Sequence, residues 1–263
     1  MAELLDRLKP AERRGSKPRC HWITHGTALQ VASRLNALIT PWASVAPTDR
    51  WMPEGFAVVE EAELQHAPRL LDPDIGRRLA AWWLPADRLD ARTPNFDIAS
   101  TCTIEGKPGL LLVEAKAHDN ELKNEAAGRI LGPAPTDERT ASHDTIRLAL
   151  EQARLGLTAA TLLEWAISRD SHYQMSNRFG WSWKLATLGV PVVLVYLGFL
   201  RAEEMTDRGK PFESDDAWDA LVKEQSTALF PAAVWNRRWS VSGVPFIPLI
   251  KSLKVELDQT VGG

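Results

Sequence analysis

Cysteine is scarce in this chain of 263 residues, and no segment is both long and apolar. Its two cysteines, Cys20 and Cys102, lack CxxC or Cys/His metal spacing, so a reduced, cytoplasmic chain is the simplest expectation. The longest apolar run, LGVPVVLVYLGFL, is too short to span a bilayer and contains glycine and proline. The opening MAELLDRLKPAERRG is charged throughout and has no apolar signal core. We therefore expect a protein without a membrane partner.

Motifs of several enzyme classes are also missing from the sequence. It contains no Gly-x-Ser-x-Gly, no His-Glu-x-x-His and no glycine spacing typical of a phosphate loop. The formal net charge of -3 does not indicate a nucleic-acid-binding protein. It does not exclude one, because an enzyme needs only a local basic groove to bind nucleic acid. Tryptophan is abundant instead, with 11 residues, and we expect most of them to pack in the core and its rim. Some could stack on bases.

The length and the 44% hydrophobic content suffice for a full core, and we expect a single domain over residues 1–263. Predicted strands alternate with predicted helices, which favours an α/β fold with a mixed central sheet flanked by helices. The patterns predict strands at 55–61, 96–104, 110–117, 191–200 and 246–257. They predict helices at 27–38, 74–84 (capped by Asp74), 142–157 (capped by Ser142, with Gly156 a candidate break), 173–188 and 215–225.

The most informative stretch is LLLVEAKAHDNEL, which begins at Leu110. Residues two apart in a strand point to the same face, so Glu114 and Lys116 share a face with Leu110 and Leu112. A carboxylate and an ammonium therefore emerge side by side where the apolar face ends. We expect this strand end to be exposed.

The preceding strand can fold back over EGKPG as a hairpin. If Ile104 lies opposite Gly109, Asp97 falls opposite Lys116 and diagonal to Glu114 on the same face. Two carboxylates and a main-chain carbonyl offer hard oxygen ligands that suit Mg²⁺ or Mn²⁺. Such an ion activates water, and a nearby lysine can orient that water or offset developing charge. The set fits phosphodiester hydrolysis.

The segment FDIASTCTIEGKPGLLLVEAKA resembles the core hairpin of the PD-(D/E)xK nuclease superfamily, which has the restriction-endonuclease-like fold. The resemblance covers about 94–200 and implies that Asp97 and Glu114 bind metal while Lys116 assists the water. Phe96 stands where the family pattern has proline before the aspartate. Glu-x-Lys occurs three times in the chain, but only the middle copy ends an apolar strand with an aspartate on the strand before it.

A second cluster lies on the predicted helix 173–188. Gln174, Asn177 and Arg178 share one face, beside an apolar stripe. They resemble the glutamine-led motif that several branches of the same superfamily carry beside the active site. The resemblance implies a catalytic role for Gln174 and a supporting or phosphate-holding role for Asn177 and Arg178. The alternative is structural, with Arg178 paired to an acid and Gln174 capping a backbone group.

The sequence thus predicts a Mg²⁺- or Mn²⁺-dependent nuclease that acts on nucleic acid, with DNA the first expectation. One alternative is a catalytically inactive nucleic-acid-binding or assembly protein that retains the nuclease fold. Another is an interaction domain whose charges are structural. Glu60 and Glu61 could supply a further metal carboxylate, although a solvated strand end is the favoured interpretation. We expect Arg178→Ala to reduce cleavage more than it reduces stability.

Overall fold

The structure, a computed structural model, describes residues 2–89 and 91–257. Its strands are β1 (Trp51–Met52), β2 (Ala62–Glu63), β3 (Asn95–Phe96), β4 (Ile98–Ile104), β5 (Lys107–Lys116), β6 (Val192–Leu200), β7 (Trp239–Val241) and β8 (Val244–Lys254). Its α-helices are α1 (Ala2–Leu5), α2 (Ser16–Ile23), α3 (Ala28–Ile39), α4 (Pro73–Trp83), α5 (Asp119–Lys123), α6 (Asp137–Thr161), α7 (Tyr173–Thr187) and α8 (Asp215–Ser226).

The central sheet is mixed and has six strands in the order β1-β4-β5-β6-β8-β7. The pairs β5–β6 and β6–β8 are parallel, whereas β1–β4, β4–β5 and β7–β8 are antiparallel. β6 is buried along nearly its whole length, as its unbroken apolar sequence predicts for a strand covered on both faces. The predicted α/β class with a mixed, helix-flanked sheet is confirmed.

The two faces of β5 separate the core into two clusters. Leu110 and Leu112 pack in one cluster with residues of α4, α6, α7 and α8. Leu111, Val113 and Ala115 pack in the other with residues of α2 and α3. This is the alternation that period-two spacing predicts. It places Glu114 and Lys116 on the face that α7 covers.

The β4–β5 hairpin has a different register from the predicted one. Ile104 pairs with Lys107, and the connection is only the dipeptide Glu105-Gly106. Both residues have positive φ, 50° and 77°. A two-residue hairpin turn needs this backbone conformation to match the twist of the strands that it joins. The expectation that Asp97 lies opposite Lys116 was therefore wrong by two residues. An even shift keeps every side chain on its face, so the pairing moves while the cluster survives.

Several local predictions also need correction. Segment 55–61 is not a strand, because Gly55 has φ 57° and the chain turns there so that Glu54 bridges to Val58. The N-cap of α4 is Asp72, whose side chain accepts a hydrogen bond from the Asp74 amide, with Pro73 in the first turn.

α6 begins earlier and runs further than its pattern predicts. Thr136 caps it by accepting from the Arg139 amide, and it continues through Gly156 to Thr161. The glycine does not break the helix. A Cβ built there would lie 2.3 Å from Nε1 of Trp183, so Gly156 permits the close approach of α7.

Most tryptophans are structural, as expected: Trp83, Trp165, Trp181, Trp183, Trp218, Trp235 and Trp239 are buried. Phe179 on α7 lies among aromatic rings, with its centroid 4.5 Å from that of Phe230 and 5.2 Å from that of Trp235. Within residues 2–89 and 91–257, no helix has the length and apolar character needed to cross a bilayer.

Candidate active site

Glu114 lies near the end of β5, and its side chain is 2% exposed. Three donors converge on its carboxylate. Lys116 Nζ and Gln174 Nε2 each lie 2.5 Å from Oε1, and Arg178 Nε lies 2.6 Å from Oε2. Burial by itself would raise the pKa of Glu114, but the charges of Arg178 and Lys116 outweigh it and lower that pKa. Glu114 is therefore an ionised carboxylate in the protein interior.

Lys116 is buried as well, with a side chain that is 7% exposed, so the expectation of an exposed strand end was wrong. Its Nζ contacts two carboxylates, Glu114 and Glu125, the latter at 2.8 Å. The contact with Glu125 is an ion pair. Burial opposes the charge of Lys116, but Glu114 and Glu125 outweigh it and raise the pKa. Lys116 can thus donate hydrogen bonds and positive charge, but it cannot act as a general base.

Glu125 is a site residue that the sequence did not reveal. It lies in a short 3₁₀ turn, Asn124–Ala126, and is 4% exposed. Tyr196 on β6 donates its hydroxyl hydrogen to Oε2 of Glu125 over 3.4 Å. Burial raises the pKa of Glu125 although Lys116 opposes the change. The turn has no periodic pattern that could have marked this residue.

Gln174 and Arg178 lie one turn apart on α7 and both reach Glu114, so their predicted placement on one face is confirmed. Asn177 accepts a hydrogen bond from Arg178 Nη1 at 2.7 Å, and the guanidinium lies 4.8 Å from the ring centroid of Phe96. Each of these contacts restrains the orientation of the guanidinium. Because Arg178 is buried and pairs with Glu114, its removal should also reduce stability.

Asp97 follows β3 and is partly exposed beside Glu114. Its Oδ2 accepts a hydrogen bond from the Ala115 amide at 2.7 Å, which fixes it next to the end of β5. Burial raises the pKa of Asp97 to about 8, and the negative charge of Glu114 contributes to the increase, whereas Lys116 opposes it. Two neighbouring carboxylates with pKa values moved in opposite directions are typical of sites that bind a cation or transfer a proton.

One cavity of about 490 Å³ joins these side chains. Asp97, Glu114, Gln174, Asn177 and Arg178 all line it, whereas Lys116 does not. The lining also includes Glu61, which contacts Lys17 at 3.2 Å. The structure thus brings five of the six predicted residues to one cavity, and Lys116 contacts the group through Glu114.

The carboxylates of Asp97 and Glu114 line the cavity and are candidate ligands for a divalent cation. Mg²⁺ in proteins typically takes one or two carboxylates and keeps several waters. A carboxylate has about four acceptor positions; Glu114 uses three and Asp97 one in the contacts above. Both therefore retain capacity for a hard cation, and the residues fit Mg²⁺ or Mn²⁺. Among the described residues, no group of three or more His, Cys, Asp or Glu side chains is placed so that it could hold a metal ion.

A second cavity, of about 550 Å³, lies beside the edge strand β1 and is lined by Trp51, Met52 and His66 among others. This second cavity is separate from the one around Glu114, since the two share no lining residue. The cavity at the end of β5 holds the converging charges and is the better candidate for chemistry.

Comparison of the chain with protein-family models, with curated proteins and with solved structures finds no match. The functional assignment therefore depends on the geometry around Glu114.

Proposed function

We propose that the protein is a Mg²⁺- or Mn²⁺-dependent nuclease with a restriction-endonuclease-like core, hydrolysing phosphodiester bonds of nucleic acid, with DNA the first candidate. One observation carries the proposal. Glu114 at the end of a central strand, Asp97 from the preceding strand segment, and Gln174 and Arg178 from a covering helix all line one cavity. This arrangement corresponds to the roles that the hairpin resemblance implies.

Asp97 and Glu114 are the residues that would hold the ion, which would supply an activated water and charge stabilisation at the phosphate. Gln174 holds Oε1 of Glu114 at 2.5 Å and so fixes the rotamer of that carboxylate. Arg178 and Lys116 keep Glu114 ionised at neutral pH and thus ready as a ligand. Lys116 remains protonated and would offset negative charge at the cavity wall rather than accept a proton.

The test is metal-dependent cleavage. Supercoiled plasmid, single-stranded DNA and RNA would be incubated with the protein in Mg²⁺, in Mn²⁺ and in EDTA. We expect cleavage only with a metal, and loss of cleavage in Asp97→Asn and Glu114→Gln. Glu213→Gln is the matched control, because Glu213 is exposed and, among the described residues, pairs only with Lys210, at 2.9 Å. Equal cleavage by Glu114→Gln and Glu213→Gln would exclude this site.

A second candidate is the non-catalytic nucleic-acid-binding or assembly protein. Two observations favour it. The carboxylate of Glu114 already has three partners, the charged groups of Lys116 and Arg178 and the side-chain amide of Gln174. In addition, Lys116 does not line the cavity. A buried network whose charges and hydrogen bonds are all paired within the protein can be purely structural. Binding of nucleic acid without cleavage in either metal, and without stabilisation by Mg²⁺, would favour this candidate.

A further inference from the structure

Arg129 is a cavity residue whose backbone is fixed on both sides. Its amide donates to the Arg169 carbonyl at 2.7 Å, and its own carbonyl lies 2.7 Å from Nε2 of His143. At Gly128 a Cβ would lie 2.1 Å from the Asp170 carbonyl oxygen, so the segment packs tightly against the chain before α7. Arg129 is therefore held at the cavity although it lies outside regular secondary structure.

The guanidinium of Arg129 is oriented by a neutral partner. Nη1 donates to the Tyr173 hydroxyl at 3.0 Å, and the group lies 5.7 Å from the centroid of the same ring. A tyrosine hydroxyl restrains the planar fork without neutralising its charge. The side chain is partly exposed and lines the cavity that contains Asp97 and Glu114.

Arg129 and Arg178 differ in whether a carboxylate pairs with the guanidinium. Arg178 pairs with Glu114, whereas no carboxylate of residues 2–89 or 91–257 forms an ion pair with Arg129. Arg92, from the segment before β3, is exposed and lines the same cavity. Arg92 and Arg129 therefore line the same cavity as the carboxylates of Glu61, Asp97 and Glu114.

A phosphodiester entering this space meets the negative charge of Glu114, so its neighbouring phosphates need cations nearby. Arginine suits this task because its guanidinium can bind two phosphate oxygens at once. We propose that Arg129, positioned by Tyr173, binds a phosphate of the nucleic-acid strand adjacent to the one at Glu114, and that Arg92 makes a second phosphate contact. The inference rests on the proposed function, since it names residues that hold the substrate of that site.

The experiment measures binding without cleavage. Fluorescence anisotropy of labelled single-stranded and duplex oligonucleotides would be recorded in EDTA at several salt concentrations. Arg129→Ala should weaken binding about tenfold or more, since a charge-assisted hydrogen-bonded contact is lost. The slope of log affinity against log salt should fall by about 0.7–0.9 for one lost phosphate contact. Arg92→Ala should act in the same direction.

Arg147→Ala is the matched control, because Arg147 is exposed on α6 and does not line the cavity. It should bind within about twofold of the parent, as a non-contacting surface change should. Arg129→Lys keeps the charge, preserves packing of the stem and should recover part of the affinity but not the bidentate contact. Tyr173→Phe removes the hydroxyl that orients Arg129 and should weaken binding less than Arg129→Ala.

The outcomes separate the two proposals. If the parent cleaves nucleic acid and Arg129→Ala and Arg129→Lys both bind as the parent does at every salt concentration, the phosphate contact is refuted and the nuclease stands. If Arg129→Ala weakens binding but the parent never cleaves, the contact is supported and the nuclease proposal fails. If the parent neither binds nor cleaves, both fail.

Discussion

The Nε atom of Arg178 lies 2.6 Å from Oε2 of Glu114, joining α7 to β5 across 64 positions of sequence. Both side chains are buried, so each charge depends on the other for its stability. This pair fixes the position of α7 over the end of the sheet. It also couples the fold to the candidate site, because the same carboxylate is the proposed metal ligand.

The coupling predicts a non-additive mutant cycle. Arg178→Met should lower the free energy of unfolding by roughly 3–5 kcal/mol, because Glu114 is left buried with one cation fewer. Glu114→Gln in the same chain should restore part of that loss, since no carboxylate then needs the guanidinium. Urea denaturation of the parent, both single variants and the double variant gives the interaction energy. Strictly additive effects would show that the ion pair contributes little.

Binding of Mg²⁺ should raise the stability of the folded protein. With Mg²⁺ at ten times its dissociation constant, the free energy of unfolding should rise by about 1.4 kcal/mol if only the folded state binds the ion. Asp97→Asn removes one proposed ligand but still accepts from the Ala115 amide, so it should fold and lose the Mg²⁺ effect. Thermal unfolding with and without Mg²⁺ measures this. An equal shift in Asp97→Asn would place the ion elsewhere.

Lys116→Met should abolish most of the cleavage that the proposed function requires. Loss of one positively charged donor at such a site typically costs about 10²–10³ in rate. Some stability should be lost too, because Glu114 and Glu125 then share less positive charge. Glu125→Gln retains Lys116 and is the comparison, with a smaller expected loss of rate. Single-turnover cleavage rates of the parent and both variants measure this contribution. An unchanged rate in Lys116→Met would show that the lysine has only a structural role.

Gly156→Ala should destabilise the protein by about 1–3 kcal/mol, because an added methyl overpacks a close helix contact. The Cβ would lie 2.3 Å from Trp183 Nε1, and the indole has little room in the core between α6 and α7. Gly132→Ala is the control, since nothing lies within 4 Å of its added Cβ. Chemical denaturation should separate the two variants clearly. Similar stabilities would mean that Trp183 moves aside without cost.

His21 should make stability depend on pH below neutrality. Burial lowers the pKa of His21, although its bond to the Gly55 carbonyl and the charge of Glu61 oppose the shift. Below about pH 6.5 the unfolded chain takes up a proton while the folded chain does not, so stability falls as the pH decreases toward the lowered pKa. His21→Asn cannot titrate and can still donate to Gly55. Its free energy of unfolding, measured from pH 7 to pH 5, should fall less than that of the parent.

Local periodicity explains which parts of the site could be predicted. Glu114 and Lys116 share a face because alternate residues of any strand do, and Gln174 and Arg178 share a face because helix geometry repeats every 3.6 residues. The approach of α7 to β5 could also be inferred, because its apolar stripe must cover the sheet next to the buried strand β6. These inferences need only neighbouring residues and the requirement that apolar faces be covered.

The hairpin register lay beyond such reasoning. It depends on whether Glu105 adopts the left-handed conformation, and a two-residue turn with φ 50° at a glutamate is an uncommon choice. The predicted pairing assumed a longer connection and moved Asp97 by two positions. The face was still correct, because strand alternation is unaffected by an even shift.

The sequence by itself determined the α/β alternation, the faces of β5 and α7, and the residue types that meet at the strand end, because these follow from spacing along one segment. Only the tertiary structure decided that Lys116 is buried, that Glu125 and Tyr196 complete its surroundings, and that Arg129 reaches the same cavity. The contacts of Tyr196 with Glu125 and of Arg129 with Tyr173 join segments tens of residues apart in sequence. Their distances depend on how the whole chain packs, and no local pattern encodes them.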